Sequence, residues 1–198
     1  MSNDLTLPIL TDRLSLRSFA KSDLDAVMAY HALPEVQRYL DWKARDRVEC
    51  KEALRQMCNQ TILQRPGDTL ALAIIRENDG ALMGQVSLRW ADATAQQAEL
   101  RFVLNSVFRG TGYASEAARA VIDFGFDHYR FHRVCARVDG RNQASAKLLC
   151  GLGMRLEAHF REHAFFQGEW DEELHFAILD REWRRSDKVA DLTKHKVA

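Results

Sequence analysis

FRGTGYASEAARAVIDFGF, residues 108–126, is the stretch that decides the fold of this chain. Gly110, Gly112 and Ala114 lie in one short turn, and small or apolar residues then recur at the spacing of one helix face. That face comprises Ala114, Ala117, Ala118, Val121, Ile122, Gly125 and Phe126. A glycine turn before a helix leaves outward-pointing N–H groups beside a partial positive charge, so the stretch is suited to bind a phosphate or pyrophosphate.

The same glycines could instead form nothing more than a tight connection, and such short motifs often occur by chance. The preceding residues favour the anion site, because AELRFVL at 98–104 has the composition of a strand. Strand, glycine turn and helix is the order that a phosphate-binding loop requires. The spacing is not that of a Rossmann fingerprint, and the Lys-Ser/Thr pair of a P-loop is missing.

Length, composition and charge set broader limits. A chain of 198 residues with 46% hydrophobic residues is long enough for one well-buried core. We therefore expect one domain over residues 7–184 and a polar, mobile tail over 185–198. The formal net charge is zero, which gives no long-range attraction to nucleic acid or an anionic membrane. Without a signal-like or membrane-spanning apolar run, we expect a cytoplasmic protein.

The cysteines and histidines do not predict a metal site or a disulfide. Cys50, Cys58, Cys135 and Cys150 have no C-x-x-C spacing, so ordinary thiols are expected. Two H-x-x-x-H pairs occur, at 128/132 and 159/163, but one straddles a helix end and the other lies in a predicted strand.

The remaining patterns alternate between strands and helices. Alternating Leu14 and Leu16 indicate a half-buried strand within residues 7–19, and a turn at 78–80 joins two apolar strands as a hairpin. Further strands are predicted at 96–104, at 134–138 and twice within 155–179. Helices are predicted after Ser22, from Pro34, over 45–63, after the glycine turn, and from Asn142. Strands from 69 to 104 should form an antiparallel meander.

Arg109-Gly110-Thr111-Gly112-Tyr113-Ala114 resembles the R/Q-x-x-G-x-G/A acetyl-coenzyme A (acetyl-CoA) loop of the general-control-related N-acetyltransferases, the GNAT superfamily. RNQASAKLLCGLGM, residues 141–154, resembles that family's N-x-x-S segment. The resemblance covers residues 7–183 and is strongest to the RimJ/RimL-type branch. It implies an α/β (α+β) fold with a mixed, mostly antiparallel sheet of six to seven strands flanked by helices. A splayed strand pair should lie at the acetyl-CoA site.

The resemblance also implies the residues that bind acetyl-CoA, the acyl donor, and implies no metal. These residues are Phe102, Val103, Leu104, Arg109, Gly110, Thr111, Gly112, Tyr113, Ala114, Asn142, Ser145 and Lys147. Asn142 is also a good N-cap by type. Many members have a tyrosine where this chain has Leu149, and that tyrosine acts as the acid that protonates the departing thiolate. Ser145 is too weak an acid for that role, so we assign it a hydrogen bond to the cofactor's sulfur.

Glu99 and Arg101 lie on one face of the predicted strand at 96–104. They could be a cross-strand or solvent-facing charge pair. In the GNAT interpretation, Glu99 faces the acceptor cleft and takes the proton of the amine, directly or through a water. Catalysis then involves Glu99, Ser145 and Asn142. Arg101 stands where the branch has glycine, which alters the room in the cleft.

Acceptor contacts are implied by the resemblance alone. Tyr30, His31, Tyr39 and Trp42 lie in the early helical segment that forms one wall of the acceptor cleft, and Arg101 joins them from the sheet. Each aromatic side chain taken singly could equally be a core or rim residue.

The implied reaction is direct attack of a primary amine on the acetyl group, with strand N–H groups stabilising the oxyanion. The expected acceptor is an N-terminal α-amine of a protein or peptide. Such an amine has a pKa near 7.7–8.0, against about 10.4 for lysine, so more of it is neutral at pH 7. Two alternatives remain open: a small-molecule amine such as an antibiotic, polyamine or amino acid, and a non-catalytic acyl-CoA-binding protein. A homodimer is compatible with each of them.

Overall fold

The structure, a computed structural model, describes residues 7–40, 46–166 and 168–185. Its centre is an eight-stranded sheet with the order β1-β2-β3-β4-β5-β6-β8-β7. The strands are β1 Ile9–Leu10, β2 Leu14–Ser18, β3 Thr69–Arg76, β4 Leu82–Asp92, β5 Gln97–Leu104, β6 Arg133–Asp139, β7 Arg155–Phe166 and β8 Glu169–Leu179. The helices are α1 Leu24–His31, α2 Pro34–Gln37, α3 Arg47–Asn59, α4 Tyr113–Asp127 and α5 Gln143–Gly151.

The sheet is mixed and mostly antiparallel, as predicted. The predicted meander is present in β3, β4 and β5, and β5 pairs with β6 in parallel. The eighth strand arises because the predicted first strand is split by a tight turn, in which the N–H of Thr11 donates to the carbonyl of Leu14 at 2.9 Å. The short β1 then folds back on β2.

The predicted splayed pair is β5 and β6. Their parallel pairing extends over three residues only, from Gln97 opposite Arg133 to Glu99 opposite Cys135. Beyond Glu99, β5 runs on to Leu104 and β6 to Asp139 without pairing to each other. The two strands therefore open a gap towards their carboxyl ends.

The two faces of the sheet are covered by different helices. Leu100 and Leu104 of β5 belong to the larger core, which contains the apolar face of α4 and Leu149 of α5. Val103 packs instead into a second cluster with residues of α1 and α3. Because side chains alternate along a strand, Glu99 and Arg101 lie on the α1/α3 face.

Helix boundaries follow local capping. α3 is shorter than the predicted 45–63. It begins after Asp46, whose side chain accepts from the N–H of Glu49, and it ends before Gln60, whose carbonyl accepts from the N–H of Ala71 in the sheet. Of the predicted tail, residues 186–198 lie outside the described part. No helix among residues 7–40, 46–166 and 168–185 is long and apolar enough to span a membrane.

Candidate functional site

The glycine loop adopts the backbone that its sequence predicts. Gly110 and Gly112 have φ angles of 78° and 83°, a left-handed conformation that glycine adopts without steric cost. Gly112 is the N-cap of α4, which begins at Tyr113. The N–H groups of the first turn, including Tyr113 and Ala114, have no acceptor within the helix. The loop thus presents donors and the positive end of a helix dipole at one place.

The N-terminal segment holds this loop against the sheet. Glu116 in the first turn of α4 accepts from the Thr11 hydroxyl at 2.6 Å and forms an ion pair with Arg13 at 2.6 Å. Arg13 also donates to the carbonyl of Thr111 at 3.0 Å and lies 4.5 Å above the Tyr113 ring. These contacts were not predicted, since they join residues about 100 positions apart. They fix the direction of α4.

A second helix N-terminus lies at the same edge of the sheet. Asn142 caps α5 as its residue type suggests, its side chain accepting from the N–H of Ser145 at 3.1 Å. Ser145 is half-buried and Lys147 is exposed. Because β5 and β6 are parallel, their carboxyl ends meet at one edge, and the chain enters α4 after β5 and α5 after β6. The two helix N-termini thus follow the strands that border the gap.

The backbone of β5 faces the gap with alternate residues. The N–H of Asn105 donates to Met83 of β4 at 2.8 Å. Since N–H direction alternates along a strand, Val103 also points to β4, while Phe102 and Leu104 point to the β6 side. These two N–H groups lie where β6 has already diverged. Of the three predicted strand residues, Phe102 and Leu104 are therefore oriented to meet a carbonyl in the gap.

Glu99 lies at the point where β5 and β6 separate, and it is held by arginines. Its Oε1 atom accepts from Nε of Arg101 at 2.9 Å and from Nη2 of Arg137 at 3.0 Å. Arg89, directly opposite on β4, lies 3.7 Å from Oε2. Desolvation raises the pKa of Glu99, but the hydrogen bonds and charges of Arg101 and Arg137 outweigh it and leave the pKa below its ordinary value. The carboxylate is thus ionised at neutral pH.

Both interpretations of Glu99 therefore have a counterpart in the geometry. It forms the predicted charge pair with Arg101, and it lies on the sheet face opposite α4 at the base of the gap. Arg89 and Arg137 were not predicted as its partners. Arg137 lies 38 positions away and reaches Glu99 only through the parallel pairing.

Cys135 is the thiol nearest this carboxylate in register, directly opposite Glu99. Burial raises the pKa of Cys135, and the charge of Glu99 raises it further. The thiol donates to the carbonyl of Ala98 at 3.4 Å. A protonated, half-buried thiol is a poor nucleophile, which is consistent with direct attack by the amine.

The candidate acceptor aromatics are placed differently from one another. Tyr30 and His31 are buried, and both reach Gln85 of β4, with the Tyr30 hydroxyl donating at 2.8 Å and His31 Nε2 at 3.4 Å. They support the wall from within rather than lining it. Tyr39 is half-buried beneath the guanidinium of Arg38, and Trp42 lies outside the described residues.

Arg109 connects the glycine loop to α2 in this structure. Its Nη2 donates to the main-chain carbonyl of Glu35 at 3.1 Å, and Ser106 donates to the Glu35 carboxylate at 2.8 Å. The acceptor wall and the loop are thus joined through Glu35. Within the described ranges, no group of three or more potential ligands could hold a metal ion.

Comparison with known proteins agrees with this geometry. Residues 13–155 match the family described as "Acetyltransferase (GNAT) domain". An uncharacterized N-acetyltransferase of Bacillus licheniformis is 29% identical over 175 residues, 88% of this chain and 97% of that protein. The crystal structure of a GNAT-family acetyltransferase from Bacillus anthracis superposes with a TM-score of 0.79 at 25% identity, covering 88% of this chain and 99% of that one.

Relatives named for their acceptors differ in what they act on. Spermidine N(1)-acetyltransferase of Escherichia coli K12 is 23% identical over 117 residues, 59% of this chain and 63% of that protein. The structure of a ribosomal-protein-S5-alanine acetyltransferase from Vibrio fischeri matches with a TM-score of 0.71 at 19% identity, covering 90% of this chain and 99% of that one. With the family match spanning most of the chain, the protein belongs to the GNAT family as an N-acetyltransferase, a family that uses acetyl-CoA as its acyl donor.

Proposed function

We propose that the protein acetylates the N-terminal α-amine of a protein or peptide, as a RimJ/RimL-type enzyme acting on proteins such as those of the ribosome. The observation that carries the proposal is the gap between β5 and β6, which opens beside two helix N-termini and above a buried, ionised Glu99. A thioester needs such a gap to reach an amine from the face opposite α4.

Acetyl-CoA would bind along the edge where the two parallel strands end. The pyrophosphate would meet the N–H groups of residues 109–114 at the start of α4, where the helix dipole favours anions. The pantetheine arm would enter the gap between β5 and β6. The thioester oxygen would then accept from the N–H groups of Phe102 and Leu104, whose direction suits an oxyanion hole.

The proton that the amine loses has to be accepted by Glu99, a carboxylate with a lowered pKa. A free ammonium holds its proton more tightly than Glu99 does, so the neutral amine has to be supplied from solution. The proton becomes acidic once the nitrogen attacks the carbonyl, and Glu99 would then receive it through a water. Ser145 and Asn142 would lie beside the departing sulfur, with Ser145 donating a hydrogen bond to it.

The need for a neutral amine favours an α-amine over a lysine side chain. The difference between their reference pKa values, about 2.5 units, corresponds to roughly 3.4 kcal/mol of deprotonation. Glu99 itself is a weak base, because its carboxylate is held by arginines. We place the reaction in the cytoplasm because acetyl-CoA and newly made proteins occur there. The homodimer stays a prediction.

A small-molecule amine is the second candidate, and the relationship to spermidine N(1)-acetyltransferase supports it. One experiment separates the two. The enzyme is incubated with acetyl-CoA and a peptide library that varies the first two residues and carries one internal lysine, and mass spectrometry locates the acetyl group. Acetylation at the N-terminus is expected. Acetylation only at lysine, or turnover of small amines without any peptide product, would overturn the choice.

A further inference from the structure

Three guanidinium groups surround Glu99 on the face that the acceptor would approach. Arg89 reaches it from β4, Arg101 from two residues along β5, and Arg137 from across the gap on β6. We infer that the acceptor carries a carboxylate close to its amine, and that Arg101 and Arg137 bind this carboxylate while the amine meets the acetyl group. The inference rests on the proposed function and adds the chemical class of its substrate.

The negative and positive side chains of this cluster differ in how far they are buried. The Glu99 side chain is only 5% exposed, whereas the side chains of Arg89, Arg101 and Arg137 are 43%, 49% and 41% exposed. The carboxylate thus lies beneath the guanidinium groups. A molecule arriving from solvent meets positive charge first, and the buried Glu99 keeps the arginines in place.

The position of two of these arginines matches the path of the acceptor. Arg101 and Arg137 each lie two residues beyond the last paired positions, Glu99 and Cys135, so they flank the gap at its start. Both bond the same oxygen of Glu99, at 2.9 Å and 3.0 Å. Phe102, whose N–H faces the gap, follows Arg101 directly. An amine approaching a thioester in the gap from this face would meet these two side chains.

The next strand places a hydrogen-bonded histidine and glutamate on this face. His175 of β8 lies directly opposite Arg137, and its Nε2 is 2.5 Å from Oε1 of Glu173. Glu173 is therefore already bonded to a neighbour, although its charge acts on Arg137. Arg89, Arg101 and Arg137 all converge on the one carboxylate of Glu99.

Guanidinium chemistry selects the ligand. The planar N–H donors of a guanidinium group match a carboxylate and can bind it in a bidentate manner. A polyamine has no anionic group and would bring two or three positive charges against the same surface, which is unfavourable at these distances. The carboxylate could belong to an acidic residue next to a peptide N-terminus or to a free amino acid. Both sources have the same chemistry, an amine with a carboxylate a few atoms away.

The test compares matched acceptors that differ only in their carboxylates. Initial rates of coenzyme A release are measured with the peptides Ser-Glu-Ala-Gly-Phe and Ser-Gln-Ala-Gly-Phe, both C-terminally amidated, with glutamate and its diamide, and with spermidine. We expect kcat/KM to be about tenfold to hundredfold higher for the acid of the preferred pair, the range of a hydrogen bond to a charged group. Spermidine should be the poorest acceptor. The acceptor pair with the larger acid-to-amide ratio of kcat/KM shows whether the carboxylate belongs to a peptide or to a free amino acid.

Variants assign the preference to the arginines. In Arg137→Gln the ratio of acid to amide should fall towards one, and Arg137→Lys should keep part of it because the charge remains without the planar donors. Arg55→Gln is the control, since Arg55 is an exposed arginine paired with Glu52 on α3. Acetyl-CoA affinity and thermal midpoints, measured on all variants, report whether each one folds. Arg101→Gln provides a second variant from the other side of the gap.

The outcomes separate two failures. Equal rates for acid and amide in the wild type, or fastest turnover of spermidine, would overturn the inference while leaving the acetyltransferase reaction intact. An acid preference that persists unchanged in both Arg137→Gln and Arg101→Gln would also overturn it. Acetylation of free glutamate and spermidine without any peptide product would instead overturn the proposed peptide acceptor, and the acid-to-amide ratio would still decide the inference.

Discussion

Nη2 of Arg137 lies 3.0 Å from Oε1 of Glu99 at the point where β5 and β6 separate. The pair crosses between strands that are still hydrogen-bonded at Glu99 but no longer at Arg137. It therefore closes the base of the gap on the face opposite α4. Glu99 cannot be moved or neutralised without changing the two arginines beside the proposed path of the amine.

Replacing Glu99 by glutamine should lower kcat by about 10²–10⁴-fold, the range of a positioned proton acceptor. The change keeps the shape but removes the charge that receives the proton. Affinity for acetyl-CoA, measured by calorimetry, should stay at the wild-type value because the glycine loop is untouched. Glu157→Gln is a matched control, since Glu157 on the edge strand β7 also accepts from two arginines, Arg133 of β6 and Arg155 of β7. Activity of Glu99→Gln within about twofold of wild type would reduce Glu99 to a strand charge.

The pH dependence of kcat/KM should follow the acceptor and not Glu99. The pKa of Glu99 is lowered, so the carboxylate stays ionised down to pH values below its ordinary range near 4.3. Because the pKa is lower in the folded state, the ion pairs of Glu99 stabilise the fold at pH values above that range, and this stabilisation is lost as the pH falls through the lowered pKa. Activity with an α-amine should rise through about pH 8 as the amine loses its proton.

This pH prediction is checked by changing the acceptor. A peptide that begins with β-alanine has a more basic amine, and the rise in kcat/KM should move to higher pH by the same amount. An inflection between pH 5 and pH 7 that Glu99→Gln removes would contradict the prediction, because Glu99 would then titrate as a base with a raised pKa.

Gly112→Asp should weaken acetyl-CoA binding by up to about thirtyfold, since a charge at a helix N-terminus contributes up to about 2 kcal/mol and here would oppose the pyrophosphate. Gly112→Asn has nearly the same bulk without the charge and should lose much less. Gly80→Asp, at a comparable φ of 70° in the β3–β4 turn, controls for backbone strain. Calorimetry on the three variants measures the effect. Equal affinity for Gly112→Asp and wild type would remove the pyrophosphate from this loop.

Local patterns allowed much of the fold to be predicted. The apolar face of α4, the cap at Asn142 and the β3–β4 turn depend on residues within one or two turns of chain, so their spacing is visible in the sequence. The splayed pair came from the family resemblance. No spacing rule predicts that two parallel strands stop pairing after Glu99.

The charged surroundings of the site could not be predicted for a related reason. Arg137 meets Glu99 only in one register of β5 against β6, and a shift by a single residue would turn its side chain to the other face. The Arg89 contact similarly depends on the register of β4 against β5. The burial of Tyr30 depends on how α1 packs over Gln85, which no local pattern specifies.

Asn142 offers a test that separates stability from binding. Its side chain caps α5 by accepting from the N–H of Ser145. Asn142→Ala should lower the free energy of unfolding by about 1 kcal/mol, the usual loss for such a cap. For a chain of this size the thermal midpoint should fall by about 2–4 °C.

Asn142→Asp should keep or slightly raise the midpoint, since aspartate caps as well and its charge favours a helix N-terminus. The same negative charge would lie beside the gap, so Asn142→Asp should nevertheless bind acetyl-CoA more weakly than wild type. Thermal melts without ligand and calorimetry with acetyl-CoA give the two quantities independently. If Asn142→Asp lost stability and affinity together, the cap would not be separable from the cofactor site, and the assignment of Asn142 beside the departing sulfur would lose its support.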